Sequence, residues 1–215
     1  MLVEGVIFDL DGTLIDSIDA IIDALSDALS TFGVKGNLDK AANLIGLNPW
    51  KIIGEITGIN NFEEQDKIVQ LWAKNYLKAI LEENKVPLFP ETIEVLSVLK
   101  NWGYKIGIAS SLTRSIIEKL LSFYKIEPYI DAYVGNDEVK RSKPAPDIFI
   151  ETARRLQVPG DRCLVVGDAE ADIAGGKAMG AITVLFNPRN NQYNYDIKPD
   201  FEINSLRQIL DILKK

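Results

Sequence analysis

The chain has 215 residues, 47% apolar and 26% charged, with a formal net charge of −7, enough for one large domain or a domain carrying an insertion. The acidic balance argues against nucleic acid and anionic membrane surfaces, which select clustered Lys and Arg, and no apolar run approaches the ~20 residues that span a bilayer. Histidine is absent and Cys163 is the only cysteine, which excludes Ser-His-Asp and Cys-His catalysis, His-held metals, thiolate clusters and an internal disulfide. Acid–base work falls to Asp, Glu, Lys, Tyr or water, and any metal must be held by oxygen, as suits magnesium, calcium or manganese.

In chain order, the first segment, "VEGVIFDL" (3–10), reads as a buried strand. Its start carries an early acid and no basic flank or cleavage site, so no secretory signal is expected and the cytoplasm is the expected compartment. Residues 16–86 carry no strand signal but helical patterns, "SIDAIIDALSDALSTFG" and "NFEEQDKIVQLWAKNYLKAILEEN", and read as an inserted helical module. Hinges are expected near Asp16–Ser17 and Lys85–Pro87. From about residue 87, strands "YKIGIAS" (104–110), "AYVG" (132–135), "RCLVVGD" (162–168) and "AITVLF" (181–186) alternate with amphipathic helices. Those helices are "PETIEVLSVLKNWG", "TRSIIEKLLSFY", "PDIFIETARRLQV" and "EADIAGGKAMG". Such alternation predicts an α/β fold: a Rossmann-like, doubly wound parallel sheet formed by residues 1–15 and 87–215, with a smaller all-helical domain, 16–86, inserted after the first strand. Cys163 lies in an apolar strand and reads as a buried structural thiol, while "NPRNNQYNYDIKP" (187–199) reads as an irregular surface loop. "AGGKAMG" lacks what a phosphate-binding glycine loop requires, and no dinucleotide fingerprint is present.

Ligands of a doubly wound sheet bind at the carboxyl ends of its strands. There strand one delivers Asp9 and Asp11, strand two Ser110 and Ser111, and strand four Asp168, followed a helical turn later by Asp172. Lys143 stands just before the helix that follows the third strand. Singly each has an ordinary reading: Asp11 as an Asp-Gly turn, Ser110 or Asp168 as a helix cap, Lys143 as a surface ammonium. Together they form a set of complementary charge. Two unit charges ~4 Å apart interact by roughly 4 kcal/mol at an effective dielectric of 20, so four converging carboxylates call for a divalent cation and the lysine. Without histidine, this pattern points to an oxygen-ligated Mg²⁺ site that receives another anion.

"DLDGT" (9–13), "IGIAS" ending at Ser110, "KPAPDIF" (143–149) and "VVGDAEAD" (165–172) resemble, in order and strand placement, the four motifs of the haloacid dehalogenase superfamily of phosphohydrolases. The helical insertion resembles the cap of the subgroup that contains phosphoglycolate phosphatases and β-phosphoglucomutases. The resemblance implies that Asp9 is a nucleophile forming an aspartyl-phosphate, and that Asp11 protonates the leaving oxygen and then activates water. It implies that Gly12 turns the chain beside the phosphate, and that Ser110 and the Ser111 N–H bind phosphoryl oxygens while Lys143 balances their charge. Mg²⁺ would be held by Asp9, the Asp11 carbonyl, Asp168 and Asp172. Ala169 stands where many relatives carry Ser or Thr.

The implied activity is Mg²⁺-dependent hydrolysis of a small phosphorylated metabolite, phosphoglycolate first and small sugar phosphates second, by a monomer or homodimer. Alternatives are a phosphomutase sharing the core residues, a haloacid dehalogenase, whose relatives lack the second acid, and a non-enzymatic receiver-like phosphoacceptor domain, which lacks the DxDGT spacing and the insertion. In "LIGLNPWKIIGEITG" (44–58), Gly46, Asn48 and Lys51 resemble the segment that closes over substrate in capped relatives. An equally weighted reading makes Asn48–Pro49 a helix start with Lys51 in solvent. Trp50 and Trp72 are expected in the core of the helical module.

Overall fold

Apolar runs that are buried on both faces belong in a parallel sheet, because crossover helices cover it on each side. The computed structural model, which describes residues 2–190 and 196–214, places them so. The chain runs β1 (Gly5–Phe8), α1 (Ile18–Thr31), α2 (Leu38–Ala42), α3 (Pro49–Thr57), α4 (Phe62–Leu81), α5 (Thr92–Asn101), β2 (Lys105–Ala109), α6 (Arg114–Phe123), β3 (Ala132–Val134) and α7 (Asp147–Leu156). It continues through β4 (Cys163–Gly167), α8 (Glu170–Met179), β5 (Ile182–Phe186), β6 (Phe201–Ile203) and α9 (Gln208–Leu213). The strands form one sheet in the order β3-β2-β1-β4-β5-β6, every neighbouring pair parallel. Val6, Ile7 and Phe8 of β1 are fully buried, as befits the central strand. On either side of it, β2 and β4 reverse the direction of strand order, the place where such sheets open a crevice at their carboxyl edge.

The chain divides into two compact units, Met1–Leu14 with Leu88–Lys215, and Ile15–Pro87. In the first, Ile7, Phe149, Val165 and Cys163 belong to one apolar cluster. The Cys163 thiol is pushed up to about 12, chiefly by burial and then by Asp161 and Glu4, so it is an inert core group. Close packing of α8 depends on its glycines: a Cβ on Gly176 would lie 2.8 Å from Thr183 Cγ2.

In the second unit three helices begin with an asparagine whose side chain accepts a backbone N–H, an arrangement worth about 1 kcal/mol each: Asn37 from Lys40, Asn48 from Trp50, and Asn61 from Glu64. Trp72 is buried and its indole N–H donates to Ile21 O at 2.9 Å, joining α4 to α1. Trp50 departs from the expected core position. It is half-buried, stacks on Phe62 at 6.3 Å and donates to Asp66 Oδ1, because its place in the first turn of α3 faces the start of α4.

β6 was not expected. Its three residues hold too short a pattern to read, and it forms by pairing with β5. The loop expected over 187–199 leaves β5 at Asn187, which is buried and donates to Glu202 Oε1 at 2.7 Å; residues 191–195 of that stretch lie outside the described residues. Among the described residues no helix is long and apolar enough to cross a membrane.

Candidate active site

At the carboxyl edge of the sheet, β1 hands its chain to Asp9, whose N–H still follows the ladder and donates to Val166 O at 2.9 Å. The Asp9 side chain is thereby fixed beside the end of β4, and the residue is 4% exposed. Gly12 then takes a φ of +77°, a conformation glycine adopts without steric cost, and Thr13 donates from its hydroxyl to Asp168 Oδ1 at 3.1 Å. Asp168 follows β4, and Asp172 lies in the first turn of α8, where its Oδ2 accepts the Ala169 N–H at 3.2 Å. That turn packs tightly on the strand end: a Cβ on Gly167 would lie 2.3 Å from the Asp172 carboxyl carbon.

Lys143 is drawn in from the loop before α7. Its ammonium donates to Asp9 Oδ1 at 2.7 Å and lies 2.7 Å from Asp172 Oδ1. The second contact is an ion pair only, since no donor is aligned on Asp172 Oδ1, which is buried. Asp9, Asp168 and Asp172 each bring a carboxylate oxygen within 4.8 Å of the others. The cluster thus sets three carboxylates against one ammonium, which contacts two of them. Asp9 is raised to about 7, chiefly by burial, against which Lys143 pulls down and Asp172 and Asp11 push up. Asp168 is raised well above its ordinary value by burial, then by Asp9 and Asp172. Burial would lower Lys143, yet Asp172 and Asp9 outweigh it and hold the ammonium charged. With Lys143 charged, one ammonium against three carboxylates still leaves an excess of negative charge at the site, which adds to burial in raising Asp9.

That excess, the all-oxygen donor set and the buried Asp172 oxygen, which has an ion-pair contact but no hydrogen bond, fit a divalent cation held by Asp9, Asp168 and Asp172. The expected convergence of four carboxylates is corrected to three, because the Asp11 carboxylate does not join the trio. Two residues beyond Asp9, it stands past the end of the strand and is half-buried. Its charge reaches Tyr124, whose hydroxyl is pushed above its ordinary range by burial and then by Asp11.

Ser110 directly follows β2, and its N–H donates to Val134 O at 3.2 Å. Its hydroxyl oxygen accepts the Leu112 N–H at 3.2 Å, which leaves the hydroxyl hydrogen to donate elsewhere. Ser111 is half-buried beside it. The ordinary reading of Ser110 as a helix cap fails, because α6 starts only at Arg114, whose N–H is accepted by Asp137 Oδ1 at 2.8 Å. In the helical unit Gly46 has a φ of +97°, Asn48 caps α3 through its side-chain oxygen and Lys51 is exposed. Thr13 was not singled out in the sequence, and only the hydrophilic end of "DLDGT" hinted at it.

Residues 6–186 match the family model described as haloacid dehalogenase-like hydrolase, and the chain belongs to that family. It is 30% identical over 209 residues to a phosphoglycolate phosphatase of Aquifex aeolicus, spanning 97% of this chain and 95% of that one. It is 28% identical to the pyrophosphatase PpaX of Bacillus cereus over 99% of this chain and 97% of the relative. A bifunctional riboflavin kinase/FMN phosphatase of Arabidopsis thaliana is 29% identical over 95% of this chain, which spans only 54% of that larger protein. The crystal structure of a haloacid dehalogenase-like hydrolase from Bacteroides fragilis superposes with a TM-score of 0.86 at 25% identity, covering 96% of this chain and 99% of the other. The protein is thus an enzyme of the phosphatase type within this family.

Proposed function

We propose that the protein is a Mg²⁺-dependent phosphatase of small phosphorylated metabolites that works through a phosphorylated Asp9, with phosphoglycolate the leading substrate and small sugar phosphates next. The observation that carries this reading is the 2.7 Å contact of buried Lys143 with Asp9 inside the three-carboxylate cluster. A nucleophile for phosphorus needs a carboxylate fixed in place and positive charge for the incoming anion; Lys143 holds Asp9 and supplies part of that charge, and a cation at the three carboxylates would supply the rest.

In the first step an Asp9 carboxylate oxygen forms a bond to phosphorus while the bond to the leaving alkoxide breaks, and Asp11 gives that oxygen its proton. In the second, Asp11 takes a proton from water, the water oxygen bonds to phosphorus, inorganic phosphate departs and the Asp9 carboxylate is restored. The Ser110 hydroxyl and Ser111 N–H donate to phosphoryl oxygens, and Lys143 opposes the charge gathering on them. Asp9, Asp168 and Asp172, with the Asp11 carbonyl, would hold Mg²⁺. When bound, that ion would neutralise phosphoryl charge.

The unit of residues 16–86 acts as a cap in this reading, with Gly46, Asn48 and Lys51 meeting substrate and closure excluding water. A 30% identical relative named phosphoglycolate phosphatase supports the leading substrate. Asp11 argues against dehalogenation, which uses an uncharged residue there. A phosphomutase would share the core, so the test is kcat/KM across a panel of phosphorylated metabolites, including phosphoglycolate, hexose phosphates and pyrophosphate, with Mg²⁺ and with chelator. Release of inorganic phosphate from a small ester, abolished by chelator, is expected. Equal turnover in chelator, or transfer between sugar positions without phosphate release, would overturn the reading.

A further inference from the structure

We infer that the face of the Phe149 ring is the third partner of the Lys143 ammonium, and that Phe149 is thereby a positioning residue for phosphoryl transfer; this rests on the role proposed above for Lys143. Lys143 is 4% exposed and Phe149 fully buried. An ammonium has three donors, and a buried cation must find its partners among protein groups. One donor is aligned on Asp9, and Asp172 is an ion-pair contact. The Phe149 ring lies with its centroid 5.3 Å from the ammonium nitrogen, the cation over its face. That face carries the negative part of the ring quadrupole, the distance is within the ~6 Å reach of a cation–π contact, and burial strengthens the attraction.

Ring and ammonium come from one segment, "KPAPDIF", whose loop is tied to the first residue of α7 by the ion pair of Arg141 with Asp147 at 2.7 Å. The seat for the ring is made by α8: a Cβ at Gly175 would lie 2.5 Å from Phe149 Cε2. The glycine thus admits the ring against the helix that also supplies Asp172. An aromatic face attracts the ammonium without demanding an aligned hydrogen bond. Lys143 can therefore turn its donors among Asp9, Asp172 and an arriving phosphoryl oxygen while its nitrogen stays in place.

Ordinary core packing would be indifferent to the electron density of the ring, which gives the test. Site-specific 4-fluoro-, 3,5-difluoro- and 3,4,5-trifluorophenylalanine at position 149 drain the ring face stepwise with little change of shape. With Mg²⁺ and p-nitrophenyl phosphate, kcat/KM should fall stepwise, on the order of ten-fold at the trifluoro ring. The same series at Phe186, which meets Phe89 edge-on at 4.9 Å, should show no such gradient. In NMR spectra the protons next to the Lys143 nitrogen should be shifted upfield by the ring current, and Phe149→Leu should remove that shift. A flat series at 149 in an active enzyme overturns the positioning role. Lys143 resonances at ordinary lysine positions overturn the contact itself. Failure of the unaltered protein to cleave any phosphate ester would instead sink the phosphatase reading, and the NMR comparison would still decide whether ring and ammonium meet.

Discussion

Gly12 stands against Asp168, so close that a Cβ on the glycine would lie 2.3 Å from Asp168 Oδ2. Gly12→Ala therefore meets two obstacles, a φ of +77° that costs an L-residue roughly 1–2 kcal/mol, and a carboxylate that must move. The expected outcome is a lowered thermal midpoint together with a fall in Mg²⁺-dependent activity of about 10- to 100-fold, the range seen when groups orienting metal ligands are lost. Thermal unfolding in chelator separates the backbone cost from the loss at the metal site.

The cation-free protein should lose stability as pH rises from about 4 to about 7. Asp9 is raised from 3.8 to about 7, first by burial, so between these values the native state holds a proton that the unfolded chain has released. Stability then decreases with pH, since it rises only where the unfolded state binds more protons. Asp168 shifts the same way, burial again first. Urea unfolding in chelator at pH 5 and pH 7 measures the sign, and added Mg²⁺ should stabilise the protein more at pH 7. Greater stability at pH 7 than at pH 5 in chelator would contradict the burial and crowding of these carboxylates.

Much of this site was legible from residue type and strand position. A strand running "VIF" into Asp9, and another running "LVV" into Asp168, place two acids at one sheet edge as soon as the strands are read as parallel. What was not legible depends on contacts between distant segments. The Thr13 hydroxyl reaches Asp168 across 155 positions, and nothing local in "DGT" marks it. Phe149 sits among apolar residues of an amphipathic helix and reads as core, because only the packed structure puts an ammonium over its ring. β6 escaped for a different reason, since three residues paired at a sheet edge carry no period.

The helical unit offers a way to separate capping from recognition at Asn48. Its side-chain oxygen accepts the Trp50 N–H at 3.1 Å, so Asn48→Ala should cost about 1 kcal/mol of stability. Asn48→Asp keeps a capping oxygen and should cost little, yet it removes the amide donor and puts a negative charge in its place. If this segment meets the phosphorylated substrate, Asn48→Asp and Lys51→Met should each raise KM with stability retained. Unchanged KM in both would confine Asn48 to its cap and Lys51 to solvent.

The roles given to Asp9 and Asp11 are tested most directly by rapid mixing of Asp11→Asn with p-nitrophenyl phosphate in Mg²⁺. Asn at position 11 keeps the Asp9 nucleophile but cannot protonate a leaving oxygen or activate water. An aryloxide departs without much protonation whereas an alkoxide needs it, so the first step should survive with the aryl ester and the second should stall. The expected result is a burst of up to about one equivalent of p-nitrophenolate, followed by slow turnover, with alkyl esters losing more rate than the aryl ester. Asp9→Asn should give no burst with any ester. A burst in Asp9→Asn, with none in Asp11→Asn and equal losses on both kinds of ester, would contradict the assignment of the two aspartates.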